Sequence, residues 1–396
     1  MLHSFSFSNF YSFEAPARVD LVLNQRDRVV GWSRVAPSGT RLSTAMAVMG
    51  ANGAGKTGLL KALPFLAWFV RDSFRLEPGA PIAFHPPAWS QEEPSVFAVT
   101  GEDGDGVRWM YQLSVQRAHV LSESLRRRGP APGDRPRHVF TRQRQASGNY
   151  TIKQSGLGIG DAEAVKVRPN VSLVSWARQY GSELAMHLTD FLLCTNLNVM
   201  GRTPARGADL VTAAEFYQAN EPVRLQMTSL LQGMDLGLTD VVMKRIEGEP
   251  LVDDPTPRWY PMGVHRGRTG VFELPMALES SGTQTTFLLL RQLLPVLQLG
   301  GYAFIDELES DLHPHMIEPL LRLFHDEETN PHGAQIIFTC HSAEVLRVLG
   351  RAQVTFVEKS DCVSTAYRGD AIEGLTSAHN LYAKYMSGAL GAVPEI

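Results

Sequence analysis

The chain opens on alternation. In "MLHSFSFSNF", Phe5 and Phe7 are separated by serines, the two-residue period of a half-buried strand. A more polar run, "RVDLVLNQRDRVVGW", extends the strand character to about residue 35. "TAMAVMG" is a continuous apolar strand that runs straight into a glycine loop. After the loop, "KTGLLKALPFLAWFVRDSF" places Leu59, Leu60, Leu63 and Phe65 on one side of a helix, and Pro64 predicts a kink or a boundary within it. From about 78 to 155 the texture is β-like, with "SVFAVTG", "GVRWMYQLSVQ", "HVLSESLRRR", "HVFTRQ" and "NYTIKQ" set off by glycine and proline turns. Residues 160–245 read as helical, through "VSLVSWARQYGSELAMHLTDFLL", "TAAEFYQA" and "EPVRLQMTSLLQGM". A hairpin-like stretch, "RWYPMGVHRGRTGVFELPMAL", leads to a helix over 283–297. The chain then alternates strand "GYAFIDE", helix "MIEPLLRLFHD", strand "AQIIFTCH", helix "SAEVLRVLG" and strand "VTFVEKS", the signature of a parallel sheet.

These textures divide the chain into four expected parts. Residues 1–77 hold N-terminal strands and the glycine loop, 78–155 a β-rich part with a basic hairpin, 156–262 a helical lobe, and 263–396 the closing strand–helix alternation. The expected class is α/β, with a mixed or parallel sheet, a β-rich N-terminal part and a helical insertion lobe.

Composition narrows the setting. At 396 residues the chain exceeds one simple core. Hydrophobic residues at 44% and charged residues at 20% describe an ordinary globular protein, and a net charge of −4 leaves polyanion binding to local patches. Cys194, Cys340 and Cys362 are too few and too scattered for a disulfide framework or a zinc site, which fits a reducing cytosol. The N-terminus reads as a strand and not as a signal peptide. The most apolar run, "FLLLRQLLPVLQLG", is short for a membrane span and carries Arg291. A soluble cytoplasmic protein is expected.

Candidate chemistry begins at "GANGAGKT", which fits G-x-x-x-x-G-K-[ST] between a predicted strand and a predicted helix. Gly50, Asn52, Gly53, Ala54 and Gly55 would turn backbone N–H groups toward a phosphate, Lys56 would reach the β and γ oxygens, and Thr57 would bind Mg²⁺. "YAFIDELESDLHP" delivers Asp306 and Glu307 at the C-terminal end of an apolar strand. Asp306 would hold Mg²⁺ through its water shell, and Glu307 would polarise the attacking water as general base. Asp306 follows Lys56 by 250 residues, so large insertions separate two halves of one nucleotide site. Ser280, Ser281 and Gly282 precede a helix and offer a second anion site 24 residues before Asp306. "IIFTCHS" ends a strand with His341, 35 residues past Asp306.

This order of motifs resembles that of ABC-type ATPases. "SSGT" looks like a degenerate signature motif and "ESDLHP" like the D-loop after the catalytic glutamate. "NFYSF" and "GANGAGKT" are similar to the SMC/RecF/OLD branch. "ESSGTQ", "TCHS" and "YMSGALGAVPEI" are similar to a set of stand-alone prokaryotic ABC ATPases that includes the ATPase of the PARIS anti-phage system. The resemblance covers most of the chain, although residues 100–270 match in texture alone. It implies that Ser280 and Gly282 of one subunit face the γ-phosphate held by Lys56 of another. It implies too that His341 senses that phosphate, and that the active form is a homodimer or larger homo-oligomer. The glutamine-loop candidate is Gln91 in "WSQEEPSV", against a plain surface glutamine, and Asn9 is more a core or turn residue than an adenine contact.

Residues 117–152 hold eight arginines against Glu123 and Asp134, with Arg126, Arg127 and Arg128 consecutive. They offer a nucleic-acid or acidic (phage) protein contact, or a solvated hairpin insertion without base-stacking aromatics. His313 and His315 lack further ligands at zinc spacing. His85, His119, His138 and His265 read as surface or turn residues. Two functions remain. In one, ATP-driven assembly holds or releases a separate toxin or nuclease in phage defence, since only 55 residues follow His341. In the other, a RecF-like ATPase clamps DNA, although no heptad run for coiled-coil arms appears between 100 and 270. A transporter subunit is disfavoured by the long stretch between loop and signature.

Overall fold

The computed structural model describes residues 1–24, 31–131, 133–201, 207–234, 237–246, 258–310, 312 and 316–392. Two large sheets organise them. The first has seven strands in the order Tyr150–Gln154, Arg137–Arg144, His119–Arg128, Arg108–Gln116, Ser95–Glu102, Leu2–Ser8 and Ala17–Asp20, every neighbour antiparallel. All five β-like segments expected between 78 and 155 are strands of this sheet, and the N-terminal strand joins them. The second has six strands in the order Cys194–Leu197, Tyr302–Ile305, Gln335–Thr339, Ala45–Met49, Val354–Ser360 and Val363–Arg368. Its first five strands run parallel and the last runs antiparallel.

Both faces of the central strands Tyr302–Ile305, Gln335–Thr339 and Ala45–Met49 are covered, which explains their largely apolar sequences. Met46, Val48, Phe304 and Ile337 join the core shared with the seven-stranded sheet. Ala45, Ala47, Met49, Ile305, Ile336 and Phe338 join a second core on the opposite side. The helix Lys56–Asp72 buries Leu59, Leu60, Leu63, Leu66 and Phe69 in the first core, between the sheets. The helices Gly207–Ala219, Glu221–Gly233 and Ser281–Leu299 close the second. The fold is α/β with a β-rich N-terminal part, as the sequence led us to expect.

Several local expectations are corrected. The helix Lys56–Asp72 does not end at Pro64, which lies inside it; nine residues in, the lost N–H costs one bond while leucines and phenylalanines on both sides keep the helix packed. The segment read as helical from 160 to 245 contains the strand Cys194–Leu197, a partly exposed edge strand that pairs with Tyr302–Ile305 and packs Cys194 and Leu197 against the two cores. It also contains the strand Leu238–Ile246, which pairs with Arg258–Gly267 and, through it, with Gly270–Pro275 in a small antiparallel sheet. Ala343–Arg347, read as a helix, is one short 3₁₀ segment. No helix among the described residues is long and apolar enough to cross a membrane.

Candidate functional site

The strand Ala45–Met49 ends at Gly50, and the chain turns through Gly55 into the helix Lys56–Asp72. Close approach dictates the glycines at both ends of this turn. A Cβ on Gly50 would stand 2.3 Å from the carbonyl oxygen of Val357. Gly55 has φ 113°, and a Cβ there would meet Ser364 Oγ at 2.5 Å. Ser364 Oγ donates to the carbonyl of Ala54 (2.5 Å) and meets Ser12 Oγ at 2.7 Å, so the turn is braced from below. Ser12 belongs to "NFYSF", and Tyr11 of the same turn lies under Gly58 and under the Lys61 ammonium. Asn52 and Gly53 are exposed at the crest, whereas Ala54 is buried.

Lys56 is only 7% exposed, and its Nζ donates to the carbonyls of Gly50 (2.8 Å) and Ala51 (3.0 Å). Burial lowers its pKa below the usual lysine value, opposed by the carboxylates of Asp306, Glu309 and Glu307. One residue on, Thr57 Oγ1 donates to Asp306 Oδ2 at 2.7 Å. This bond joins two residues 249 positions apart and closes the two halves of the site.

The strand order explains why they meet. Gln335–Thr339 lies between Ala45–Met49 and Tyr302–Ile305, so three parallel strands deliver their C-terminal ends side by side. Thr339, fully buried at the end of the middle strand, donates from Oγ1 to Asp306 Oδ1 (2.6 Å) and accepts from the backbone N–H of Glu307 (2.7 Å). Asp306, 8% exposed, thus has a hydroxyl on each carboxylate oxygen. Its own N–H donates to Leu197 on the edge strand at 2.9 Å.

Glu307 is exposed beside this buried centre, with φ 54°, a left-handed conformation that costs a non-glycine residue about 1–2 kcal/mol. Ser310 Oγ donates to its Oε2 at 3.1 Å. His341 is exposed, and its backbone N–H donates to Glu309 Oε1 at 2.7 Å. The other carboxylate oxygen of Glu309 is buried without a hydrogen-bond partner among the described residues. Burial pushes the neighbouring Cys340 thiol up, and the Glu309 charge adds to the shift. Sequence reasoning passed over Thr339 and Glu309. Thr339 carried no signal in "IIFTCHS", whereas the third acid of "DELE" was readable as a further carboxylate at the same strand end.

Other expected site residues stand apart. Among the described residues no hydrogen bond or ion pair joins Ser280, Ser281 or Gly282 to Lys56, Thr57, Asp306 or Glu307 within the chain. Ser280 caps its own helix, with Oγ accepting from Thr283 N at 3.1 Å, so its hydroxyl is already engaged while Ser281 is exposed. Gln91 is exposed on a loop whose carbonyls at Ser90 and Glu93 accept from Asn9 Nδ2 at 3.1 and 2.8 Å. Asn9 is 5% exposed and organises that loop. Arg126 and Arg127 are exposed at the end of the strand His119–Arg128, and Arg128 is half-buried.

The basic stretch forms antiparallel strands at one side of the seven-stranded sheet, with Arg117, Arg126, Arg127, Arg135 and Arg137 exposed. Arg142 within it is fully buried; it donates to the carbonyls of Val171, Val167 and Arg168 and lies 3.9 Å from Glu123. His265, read as a surface or turn residue, lies in the strand Arg258–Gly267 and is largely buried against Glu279. His313 and His315 lie outside the described residues, as does Asp311 of the D-loop-like stretch.

A solved SMC head bound to the C-winged helix domain of ScpA is similar at 11% identity and TM-score 0.48, covering 92% of this chain and 96% of that one. An SMC head with a coiled coil and joint, derived from Pyrococcus yayanosii, is similar at 10% identity and TM-score 0.44, covering 98% and 99%. The recombination mediator RecF with ATP is similar at 11% identity and TM-score 0.39, covering 92% and 97%. No curated protein matches the chain. Residues 45–147 and 244–347 match the family described as "AAA domain, putative AbiEii toxin, Type IV TA system". The first block contains the Lys56 turn, the second Asp306, Glu307 and His341, and together they span more than half of the sequence. The chain belongs to this AAA-domain family.

Proposed function

We propose that the protein is an ATPase in which ATP and Mg²⁺ lie between two subunits, and that its nucleotide cycle holds or releases a separate effector in anti-phage defence. The observation that carries the chemistry is the Thr57–Asp306–Thr339 cluster, with Lys56 and Glu307 at its edges. Its donor set is hydroxyl and carboxylate oxygen, the set a hard divalent cation prefers. No group of three or more His, Cys, Asp or Glu that could hold a metal occurs among the described residues, which suits an ion that completes its shell with phosphate and water.

In this reading the Gly50–Gly55 turn and Lys56 bind the phosphates, while Thr57 and Asp306 hold Mg²⁺. The ion supplies charge neutralisation on the γ-phosphate. Glu307, exposed and held by Ser310, accepts the proton of the attacking water. His341 contacts the γ-phosphate and reports its loss through the Glu309 bond to its backbone. Ser280, Ser281 and Gly282 reach the nucleotide from the other subunit, in keeping with their making no hydrogen bond or ion pair to Lys56, Thr57, Asp306 or Glu307 among the described residues. The family description, with its toxin of a toxin–antitoxin system, supports an effector-linked role.

The test is direct. Lys56→Ala abolishes ATP binding, whereas Glu307→Gln binds ATP, fails to hydrolyse it and accumulates as an ATP-bound dimer in sedimentation. Parental hydrolysis by Glu307→Gln refutes the assignment of the base. The effector is sought by co-purifying the native complex. A RecF-like DNA clamp is the second reading, favoured by the exposed Arg126 and Arg127 at one end of the seven-stranded sheet. ATP-dependent, salt-sensitive DNA binding by the protein alone would select it.

A further inference from the structure

The turn that opens the helix Ser281–Leu299 is held from behind. Glu279, the residue before the cap, directs its carboxylate into the three-stranded sheet, where Oε1 lies 2.6 Å from His265 Nε2. The Glu279 and His265 side chains are 7% and 17% exposed. The other ring nitrogen, Nδ1, lies 3.0 Å from the carbonyl oxygen of Gly237, and the ring stacks on Phe272 with centroids 5.2 Å apart. One imidazole therefore joins the strand Arg258–Gly267, the entry to Leu238–Ile246 and the residue preceding Ser280.

Gly263 makes room for this arrangement. A Cβ there would stand 2.3 Å from Glu279 Oε1 and 2.6 Å from Leu238 Cδ2. Gln284, within the first turns of the helix, donates to the carbonyls of Glu279 (2.9 Å) and Ala277 (3.2 Å). A buried polar pair adds little net stability over apolar packing, but its directional bonds fix geometry. Here the geometry fixed is that of Ser280–Gly282.

We propose that His265 and Glu279 are positioning residues that carry the position of the three-stranded sheet to the turn Ser280–Gly282 and so set its aim at nucleotide held by another subunit. The inference rests on the two-half-site reading above. Phe272, 52% exposed and stacked on His265, is the part of the device reachable from solvent.

The experiment measures kcat, KM and equilibrium ATP binding for Glu279→Ala, His265→Asn, the double variant, Glu279→Gln and the control Gly282→Asp, each with a melting curve. Glu279→Ala is expected to lose about tenfold or more in kcat with ATP affinity unchanged, because an ångström of misplacement suffices. The double variant should cost no more than the worse single one, and Glu279→Gln, which keeps an acceptor oxygen, should recover part of the rate. If Gly282→Asp loses activity while Glu279→Ala and His265→Asn keep the parental kcat, the positioning role is overturned and the half-site reading stands. If Gly282→Asp itself keeps the parental kcat, both fail. A fall in ATP affinity equal to the fall in kcat would mark a general structural effect and also overturn the proposal. Should Glu279→Ala not fold, His265→Asn decides the same question.

Discussion

Thr339→Val removes one oxygen and keeps the side-chain shape, so it isolates what a single hydroxyl does in the site. That hydroxyl donates to Asp306 Oδ1 at 2.6 Å and accepts from Glu307 N at 2.7 Å, in a fully buried position. Its loss leaves a backbone N–H without its partner and takes a charge-assisted bond from a carboxylate that keeps only Thr57. Together these should cost about 2–4 kcal/mol. At the usual unfolding entropy per residue, a chain of this length should melt about 2–5 °C lower. Glu307 also loses the contact that holds its left-handed backbone, so kcat should fall about tenfold or more while ATP affinity changes little. Thr339→Ser restores the hydroxyl and should recover both. Scanning calorimetry and steady-state ATPase assays read the two effects. Parental melting and parental kcat in Thr339→Val would refute the claim that this hydroxyl organises the acidic strand end.

Two further predictions concern the seven-stranded sheet. Glu123 accepts from Tyr111 Oη, Ser172 Oγ and Leu173 N beside the buried Arg142, so Glu123→Ala, which strands that guanidinium, should destabilise by about 3–5 kcal/mol in denaturant titration. Equal stability would show that Arg142 does not need its acid. Burial alone would raise the Glu102 pKa, but hydrogen bonds from His3 and Ser38 hold it at about 2, against 4.5 for the free side chain. Its contribution is therefore complete above about pH 4.5 and lost as pH falls toward 2. Glu102→Gln should melt below the parent at neutral pH and match it near pH 2, whereas a pH-independent gap would contradict the assignment.

What could be read in advance was local. The Lys56 turn and the Asp306–Glu307 strand end announce themselves because glycine spacing, a lysine and adjacent acids are neighbours in sequence. Their convergence was inferred from motif order, and the bond from Thr57 to Asp306 gives it a distance. Thr339 was invisible because its role comes from the strand order, which inserts Gln335–Thr339 between the two motif-bearing strands. Cys194–Leu197 was hidden for a related reason: an edge strand with polar residues gains its identity from its partner. Ser12 and Ser364 brace the turn from 38 positions before it and far beyond it; "NFYSF" marks the neighbourhood of Ser12 but not its contact, and Ser364 belongs to no sequence motif. Arg142 was hidden by composition, since a count of eight arginines cannot distinguish the buried one from the five that are exposed.

The central claim is that each nucleotide site takes its lysine from one subunit and its serine–glycine turn from another, and subunit mixing tests it most directly. Lys56→Ala and Gly282→Asp are each inactive alone, but a mixed pair owns one intact site, so equimolar re-association of purified subunits should restore about a quarter of the parental ATPase rate. A mixture no more active than its separate components would contradict the account.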